Sequence, residues 1–185
     1  MNSRRGLSSV ELLLSAALLA VLLLSGLLAA RSATTVAQDS IRTSAAQHRA
    51  TRALEVLRQM LLPASRASLA ALPSGGSVNE PMQDDVGYAN LTFRRTMMNG
   101  PAGLVLEPDL GSPPYSLEFR EPGVAGSDGE LLWNDGVSRH PIASGIRELE
   151  FRRNGSRITI RITATARGPR SEVHTATGSL VVHNP

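Results

Sequence analysis

The sequence predicts an α+β protein in which a long N-terminal helix packs on a C-terminal head of antiparallel β-strands. Three observations support this prediction. Residues 12–30 form an apolar run without a charge, residues 31–62 contain neither Pro nor Gly and repeat their apolar side chains at helical spacing, and the chain after Val86 changes to a period of two. A helical region followed by a region of strands is typical of the α+β class.

The run from Leu12 to Ala30 is long enough to cross a membrane. As a helix it would be about 28 Å long, close to the thickness of the hydrocarbon core of a bilayer. Arg4 and Arg5 precede the run. By the positive-inside tendency these two arginines keep the N-terminus in the cytoplasm and place the rest of the chain outside.

Three interpretations of this segment compete. A cleaved secretory signal has a shorter apolar core, of about 7 to 15 residues, and Ala30-Arg31-Ser32 is a poor cleavage site. A plain membrane anchor fits the length but leaves Glu11 unexplained, because an ionised carboxylate inside an apolar segment is costly unless it is paired. An acid at such a position is therefore a candidate functional residue.

The third interpretation accounts for the acid. Gly6-Leu7-Ser8-Ser9-Val10-Glu11, followed by the apolar run, resembles the type IV prepilin signature of pilins and type II secretion pseudopilins. The resemblance implies that a prepilin peptidase cuts after Gly6 and that Leu7, the new N-terminus, is N-methylated. It also implies a salt bridge from Glu11 to the Leu7 ammonium of a neighbouring subunit, which sets the axial register in a fibre. Buried ion pairs suit such a registry role better than a stabilising one.

The signature and the periodicities divide the chain into four segments. Residues 1–6 are the expected leader peptide, 7–30 the transmembrane and fibre-core helix, 31–62 its amphipathic continuation, and 63–185 the β-rich periplasmic or extracellular head. We expect one helix from about Ser8 to Leu62, ended by Pro63. The apolar stripe of residues 31–62 can face the protein's own sheet or neighbouring subunits, and we favour its own sheet.

Strand signals follow one another through the head. Residues 115–119 alternate apolar and polar side chains, and residues 131–133 lead into the turn residues Asn134-Asp135-Gly136. The clearest pair is 146–153 and 158–166, which flank the turn dipeptide Asn154-Gly155. With a last strand near 172–183, the head should contain six or seven antiparallel strands.

The end of the head resembles minor pseudopilins of the J type and PilW-like minor pilins. The matching features are the Ile-Ala-x-Gly-Ile-x-x-Leu-x-Phe pattern at 142–151, the alternating Ile strand and the final Val-Val-His-Asn. A K-type pseudopilin lacks the acid that Glu11 supplies, and a chain without Cys lacks the disulfide loop of many type IVa major pilins. The resemblance thus implies a minor subunit that primes or caps a type IV pilus or a type II secretion pseudopilus.

Partners and location follow from the same resemblance. It implies a prepilin peptidase, other minor pilins or pseudopilins, the major subunit and the inner-membrane assembly platform as partners. The subunit would cross the bacterial inner membrane once, with its head in the periplasm, before it joins the tip of a fibre. Pilus, secretion and competence machines are not distinguished by these residues.

Composition argues against several other classes. The net charge is +3, and all nineteen basic residues are arginines, spread along the chain and offset by sixteen acids. A nucleic-acid surface clusters its charge and uses aromatic stacking, whereas only six aromatic residues occur here. The absence of Cys excludes disulfides, thiolate metal sites and cysteine nucleophiles.

Motifs for catalysis are missing from the sequence. No GxSxG, P-loop or dinucleotide-binding pattern occurs, and the four histidines are far apart: His48, His140, His174 and His183. We therefore expect no enzyme and no cofactor. Two rival functions remain open, a membrane-anchored enzyme or sensor whose head binds a small ligand, and a minor pilin specialised as an adhesin or DNA-uptake subunit.

Two further features of the head allow alternative interpretations. The acidic loops at Asp84-Asp85 and 127–135 could gather oxygen atoms around Ca²⁺, although such loops are more often ordinary turns. A set of arginines on adjacent strands could contact acidic surfaces of fellow subunits, but a solvated sheet face is the simpler interpretation. This set comprises Arg147, Arg152, Arg153, Arg157 and Arg161.

Overall fold

A computed structural model of the chain describes residues 9–73, 78–99, 105–121, 128–166 and 172–182. The chain divides into two compact units between Ile41 and Arg42. The described part of the first unit is entirely helical. The second unit contains the rest of that helix and the strands.

Helix α1 runs from Ser9 to Leu61 without a break. It ends one residue earlier than predicted, at the turn that Pro63 enforces, where the Ala64 N–H donates to the Leu61 carbonyl over 3.0 Å. Residues 1–8 lie outside the described residues, so the predicted start at Ser8 is not tested.

The last third of α1 packs on the sheet of its own unit. Its buried side chains follow one another at steps of three and four residues, which places them on one face of the helix. They are Ala46, Ala50, Ala53, Leu57 and Leu61. Most of them belong to one core with the buried Leu, Ile and Phe side chains of the strands. The expectation that the stripe of residues 31–62 faces the protein's own sheet is therefore confirmed for residues 46–61, whereas Val36 and Ile41 in its first part are exposed.

Eleven strands are present in the described part of the head. Their bounds are β1 Ala70–Ala71, β2 Glu80–Pro81, β3 Gly87–Tyr88, β4 Asn90–Phe93, β5 Thr96–Asn99, β6 Val105–Pro108, β7 Tyr115–Arg120, β8 Gly129–Asn134, β9 Arg139–Asn154, β10 Arg157–Ala166 and β11 Glu172–Val181.

The pairing of these strands is antiparallel throughout. The main sheet has the order β11-β10-β9-β8-β7-β4-β1-β2, with β3 paired to β9, and β5 and β6 form a separate hairpin. The count exceeds the predicted six or seven because of four short strands: β1, β2 and β3 contain two residues each, and β5 contains four. Such short strands leave little room for a visible alternation in the sequence. The predicted combination of a long helix and an antiparallel sheet is confirmed.

The hairpin of β9 and β10 forms the centre of the head. It turns at Gly155-Ser156, one residue later than the predicted Asn154-Gly155, because Asn154 still pairs with Arg157; Gly155 has a φ of 59°. Strand β9 begins at Arg139, seven residues before the predicted start. A shifted register between β8 and β9 allows Pro141 to lie within the strand.

The two edges of the main sheet differ. On one side β2 contains two residues and ends in Pro81, whose nitrogen cannot donate a hydrogen bond. On the other side β11 pairs with β10 over ten residues without a shift in register. Beyond β11 the described chain places no further strand.

Candidate functional site

The first part of α1 exposes an apolar surface on all its sides. Between Val10 and Leu28 the Leu and Val side chains are each 57–71% exposed. A helix that is apolar all round requires an apolar environment. Among the described residues, α1 is the one helix long and apolar enough to span a membrane.

The hydroxyl groups in this segment are adapted to such an environment. Ser15 Oγ donates to the Leu12 carbonyl over 3.0 Å, and Ser25 Oγ donates to the Leu22 carbonyl over 2.9 Å. Each hydroxyl is thereby hydrogen-bonded inside the helix, which lowers the cost of removing it from water. The helix passes through Ser25 and Gly26 without interruption.

Glu11 lies in the first described turn of α1, and its side chain is exposed. A neighbouring molecule beside this segment could reach the carboxylate. Gly6 and Leu7, the other two predicted site residues, lie outside the described residues.

The predicted arginine set is divided by its structural roles. Arg153 is bound within the head, because its Nε donates to the Gly155 carbonyl over 3.0 Å and lies 3.5 Å from Asp84 Oδ1. Arg152 forms an ion pair with Glu150 at 2.7 Å, and this hydrogen bond raises the pKa of the Arg152 guanidinium. Arg147, Arg157 and Arg161 are exposed.

A cleft of about 910 Å³ crosses the sheet face on which several of these arginines lie. Charges of both signs alternate along it: Glu150 lies opposite Arg161 in the register of β9 and β10, and Glu148 lies opposite Thr163. This mixture gives the cleft no strong preference for an anion or a cation. Within the described residues, no His lines it.

Several acids of the loops considered for Ca²⁺ accept hydrogen bonds within the head. Asp84 Oδ1 accepts a hydrogen bond from the Gly155 N–H over 3.1 Å, and Asp85 Oδ1 accepts one from the Asn154 side chain over 3.2 Å. Asp128 accepts a hydrogen bond from the Thr165 hydroxyl. The described residues contain no cluster of three or more His, Asp or Glu side chains that could hold a metal ion.

The loop between β8 and β9 is organised by Asp135. Its Oδ1 accepts hydrogen bonds from the Val137 and Ser138 N–H groups over 2.9 and 2.7 Å, and its Oδ2 lies 3.4 Å from His140 Nε2. The backbone N–H of Ser138, followed by that of Val137, holds the pKa of the Asp135 carboxyl below its usual range. The remaining histidines are dispersed: His48 is on α1, His174 is on β11, and His183 lies outside the described residues.

We expect the 135–138 loop to lose order in acid. A carboxyl whose pKa is lowered by folding stabilises the folded loop above its unfolded pKa of about 3.9, and this contribution is lost as the pH falls through the lower folded value. Trp133, the only tryptophan, precedes the loop, so its fluorescence should report the change below about pH 4. Asp135→Asn should remove this acid transition. An unchanged titration in the variant would assign the transition to another group.

Sequence reasoning missed a row of aromatic rings that crosses four strands. Phe93, Tyr115, Trp133 and His140 lie side by side, with ring centroids 5.8, 6.1 and 5.2 Å apart along the row. Trp133 lies opposite His140 in the register of β8 and β9. This pairing depends on the register shift between the two strands, and no sequence motif predicts such a shift.

Comparison with protein-family models, with curated proteins and with solved structures found no match to this chain.

Proposed function

We propose that this chain is a minor pilin or pseudopilin, a structural subunit that primes or caps a type IV pilus or a type II secretion pseudopilus. One observation carries the proposal: an apolar helical segment, exposed on all sides, has a single acid in its first described turn. That arrangement is suited to leaving a bilayer for the core of a fibre, where neighbouring apolar helices replace lipid.

The roles of the residues follow from this proposal. Prepilin peptidase cuts after Gly6, and Leu7 becomes the methylated N-terminus. Glu11 pairs with the Leu7 ammonium of a neighbouring subunit and fixes the register. Before assembly the chain crosses the inner membrane once, with its N-terminus in the cytoplasm and its head in the periplasm.

In this proposal the subunit is the substrate of an enzyme and has no catalytic activity or cofactor of its own. Lateral packing comes from the apolar part of α1, and the head supplies the surface that selects partners among the other minor subunits, the major subunit and the assembly platform. The antiparallel head with a helix packed on it agrees with the pilin-like layout.

The rival function with an observation in its favour is a membrane-anchored ligand-binding head. The 910 Å³ cleft between β3 and β11 is large enough for a small molecule. Its alternating charges and open shape give no catalytic arrangement, so we rank this function second.

N-terminal mass analysis after co-expression with a prepilin peptidase distinguishes these functions. A mature chain that begins at N-methylated Leu7 supports the proposal, and Gly6→Val should block the cut while leaving insertion unchanged. A chain that still begins at Met1 or Asn2 would instead favour the plain anchor. A cut beyond Ala30 would make the head a secreted domain.

A further inference from the structure

The aromatic row runs from the core of the head to its surface. Phe93 is buried, Tyr115 and Trp133 are half-buried at the margin of the core, and His140 is exposed. The rest of the core consists largely of Leu, Ile and Ala. Three of the six aromatic residues thus meet at one margin of the core, beside the surface.

The orientation of the rings restricts what they can bind. Tyr115 is inclined by 23° to Phe93 and by 13° to Trp133, so these rings are nearly parallel. Ring edges carry partial positive charge, whereas ring faces carry partial negative charge and attract cations. The Tyr115 face over which Arg95 lies is therefore occupied by a cation of the head itself, so a ligand at this place meets the guanidinium.

Arg95 adds a full positive charge to this surface. Its Cζ lies 4.5 Å from the centroid of the Tyr115 ring, and its side chain is exposed. The neighbouring Arg94 is bound within the head, because its Nη1 donates to the Asp109 carbonyl over 2.9 Å and also to the Ser112 carbonyl. Of the ion pairs between described residues, none includes Arg95. The guanidinium beside the ring keeps its N–H groups as donors that a carboxylate can accept in pairs.

Exposed apolar side chains flank the arginine. The chain that follows α1 lies beside Arg95, since Ala64 forms a β-bridge with it and the Thr96 N–H donates to the Pro63 carbonyl over 2.8 Å. Leu62 in this chain is 65% exposed, and Met97 beyond Arg95 is 45% exposed. Arg, Tyr, Trp and Met are the residues enriched in the centres of protein interfaces.

We propose that Arg95, Tyr115, Trp133 and His140, with Leu62 and Met97 beside them, form a docking surface for a partner protein. The occupant is a segment that presents a carboxylate with an aliphatic side chain next to it. The carboxylate binds the Arg95 guanidinium, and the aliphatic group contacts the flank. This docking surface does not depend on the proposed function of the membrane segment.

Fluorescence of Trp133 in the full chain, purified in detergent micelles, tests the proposal directly. The probes are N-acetyl-leucinate, which has both chemical groups, and N-acetyl-leucinamide, which has the same size and no charge. We expect saturable binding of the acid with a dissociation constant on the order of 1–10 mM. The amide should bind about tenfold more weakly, and added salt should weaken the binding of the acid but not that of the amide.

Two variants complete the test. Arg95→Gln should abolish the preference for the acid, whereas Arg139→Gln should keep it. Arg139 is the matched control because it precedes His140 in β9, points to the opposite face of the sheet and pairs with Glu118 at 3.7 Å. Circular dichroism checks that each variant is folded.

Several results would overturn the proposal. Equal binding of the acid and the amide would show that charge has no role. If Arg95→Gln still prefers the acid to the amide, the carboxylate binds at another residue. Absence of binding by either probe at concentrations on the order of 100 mM would contradict a docking surface. A saturable response to a methyl glycoside alone would identify a sugar-binding surface instead.

Discussion

If the proposed function is right, replacing Glu11 by Ala should remove this subunit from the fibre while leaving membrane insertion and cleavage intact. Insertion improves when an acid is removed from an apolar segment, because a carboxylate in a bilayer is costly. Assembly suffers because the Leu7 ammonium of the neighbouring subunit then loses its partner in an apolar surrounding. Removing one partner of a buried ion pair typically costs about 3–5 kcal/mol. Such a cost corresponds to a loss of about 100-fold or more in the fibre.

The amount of subunit in sheared fibres, relative to the amount in the membrane fraction, measures this effect. Glu11→Gln keeps the size of the side chain but removes its charge, so its incorporation into the fibre should be lost as in Glu11→Ala. Glu11→Asp keeps the charge and should retain part of the incorporation. Ser9→Ala, on the same exposed segment, serves as the control for a change without charge. Normal incorporation of Glu11→Ala would refute the registry role.

The second large effect concerns the packing of α1 on the sheet. Leu57 is completely buried in the core that the helix shares with the strands, so Leu57→Ala should leave a cavity. Such changes typically cost about 2–5 kcal/mol. For a head of this size the midpoint of thermal unfolding should fall by about 5–15 °C.

Leu62 provides a matched control for this experiment. It is a leucine five residues further along the chain, directly after the helix, and most of its side chain is exposed. Leu62→Ala should change the free energy of unfolding by less than about 0.5 kcal/mol. Thermal unfolding in micelles, followed by Trp133 fluorescence, compares the two variants. Equal losses of stability would mean that the helix does not pack on the sheet in solution.

The sequence predicted the parts of this fold that repeat a pattern over many residues. The helix was evident because Pro63 and Leu12–Ala30 mark its end and its apolar part, and the β9–β10 hairpin was evident from Asn154-Gly155 between alternating Ile and Leu residues. Both features depend on local physics: the proline ends a helix, and Gly155 adopts the positive φ that the turn requires.

The features that could not be predicted depend on contacts between distant segments. Arg153 was grouped with the exposed arginines, yet Asp84 and the Gly155 carbonyl hold it within the head. The contact of Trp133 with His140 needs a particular register between β8 and β9, which a bulge changes by one residue. Of the three predicted site residues, only Glu11 lies within the described part of the chain. Cleavage after Gly6 and methylation of Leu7 stay predictions.

The open edge of β11 has a consequence for the purified protein. The exposed side chains of β11 are Val173, Thr175, Thr177, Ser179 and Val181. This series contains no charge, and its order is nearly the same from either end. Natural edge strands are usually guarded by a lysine, a proline, a bulge or short length, and this strand has none of these over its paired residues. Two heads can therefore extend one sheet across an antiparallel β11–β11 seam, which would bring Val173 opposite Val181. Concentrated samples should accumulate such sheet-joined pairs, and a single Thr177→Lys change should keep them apart.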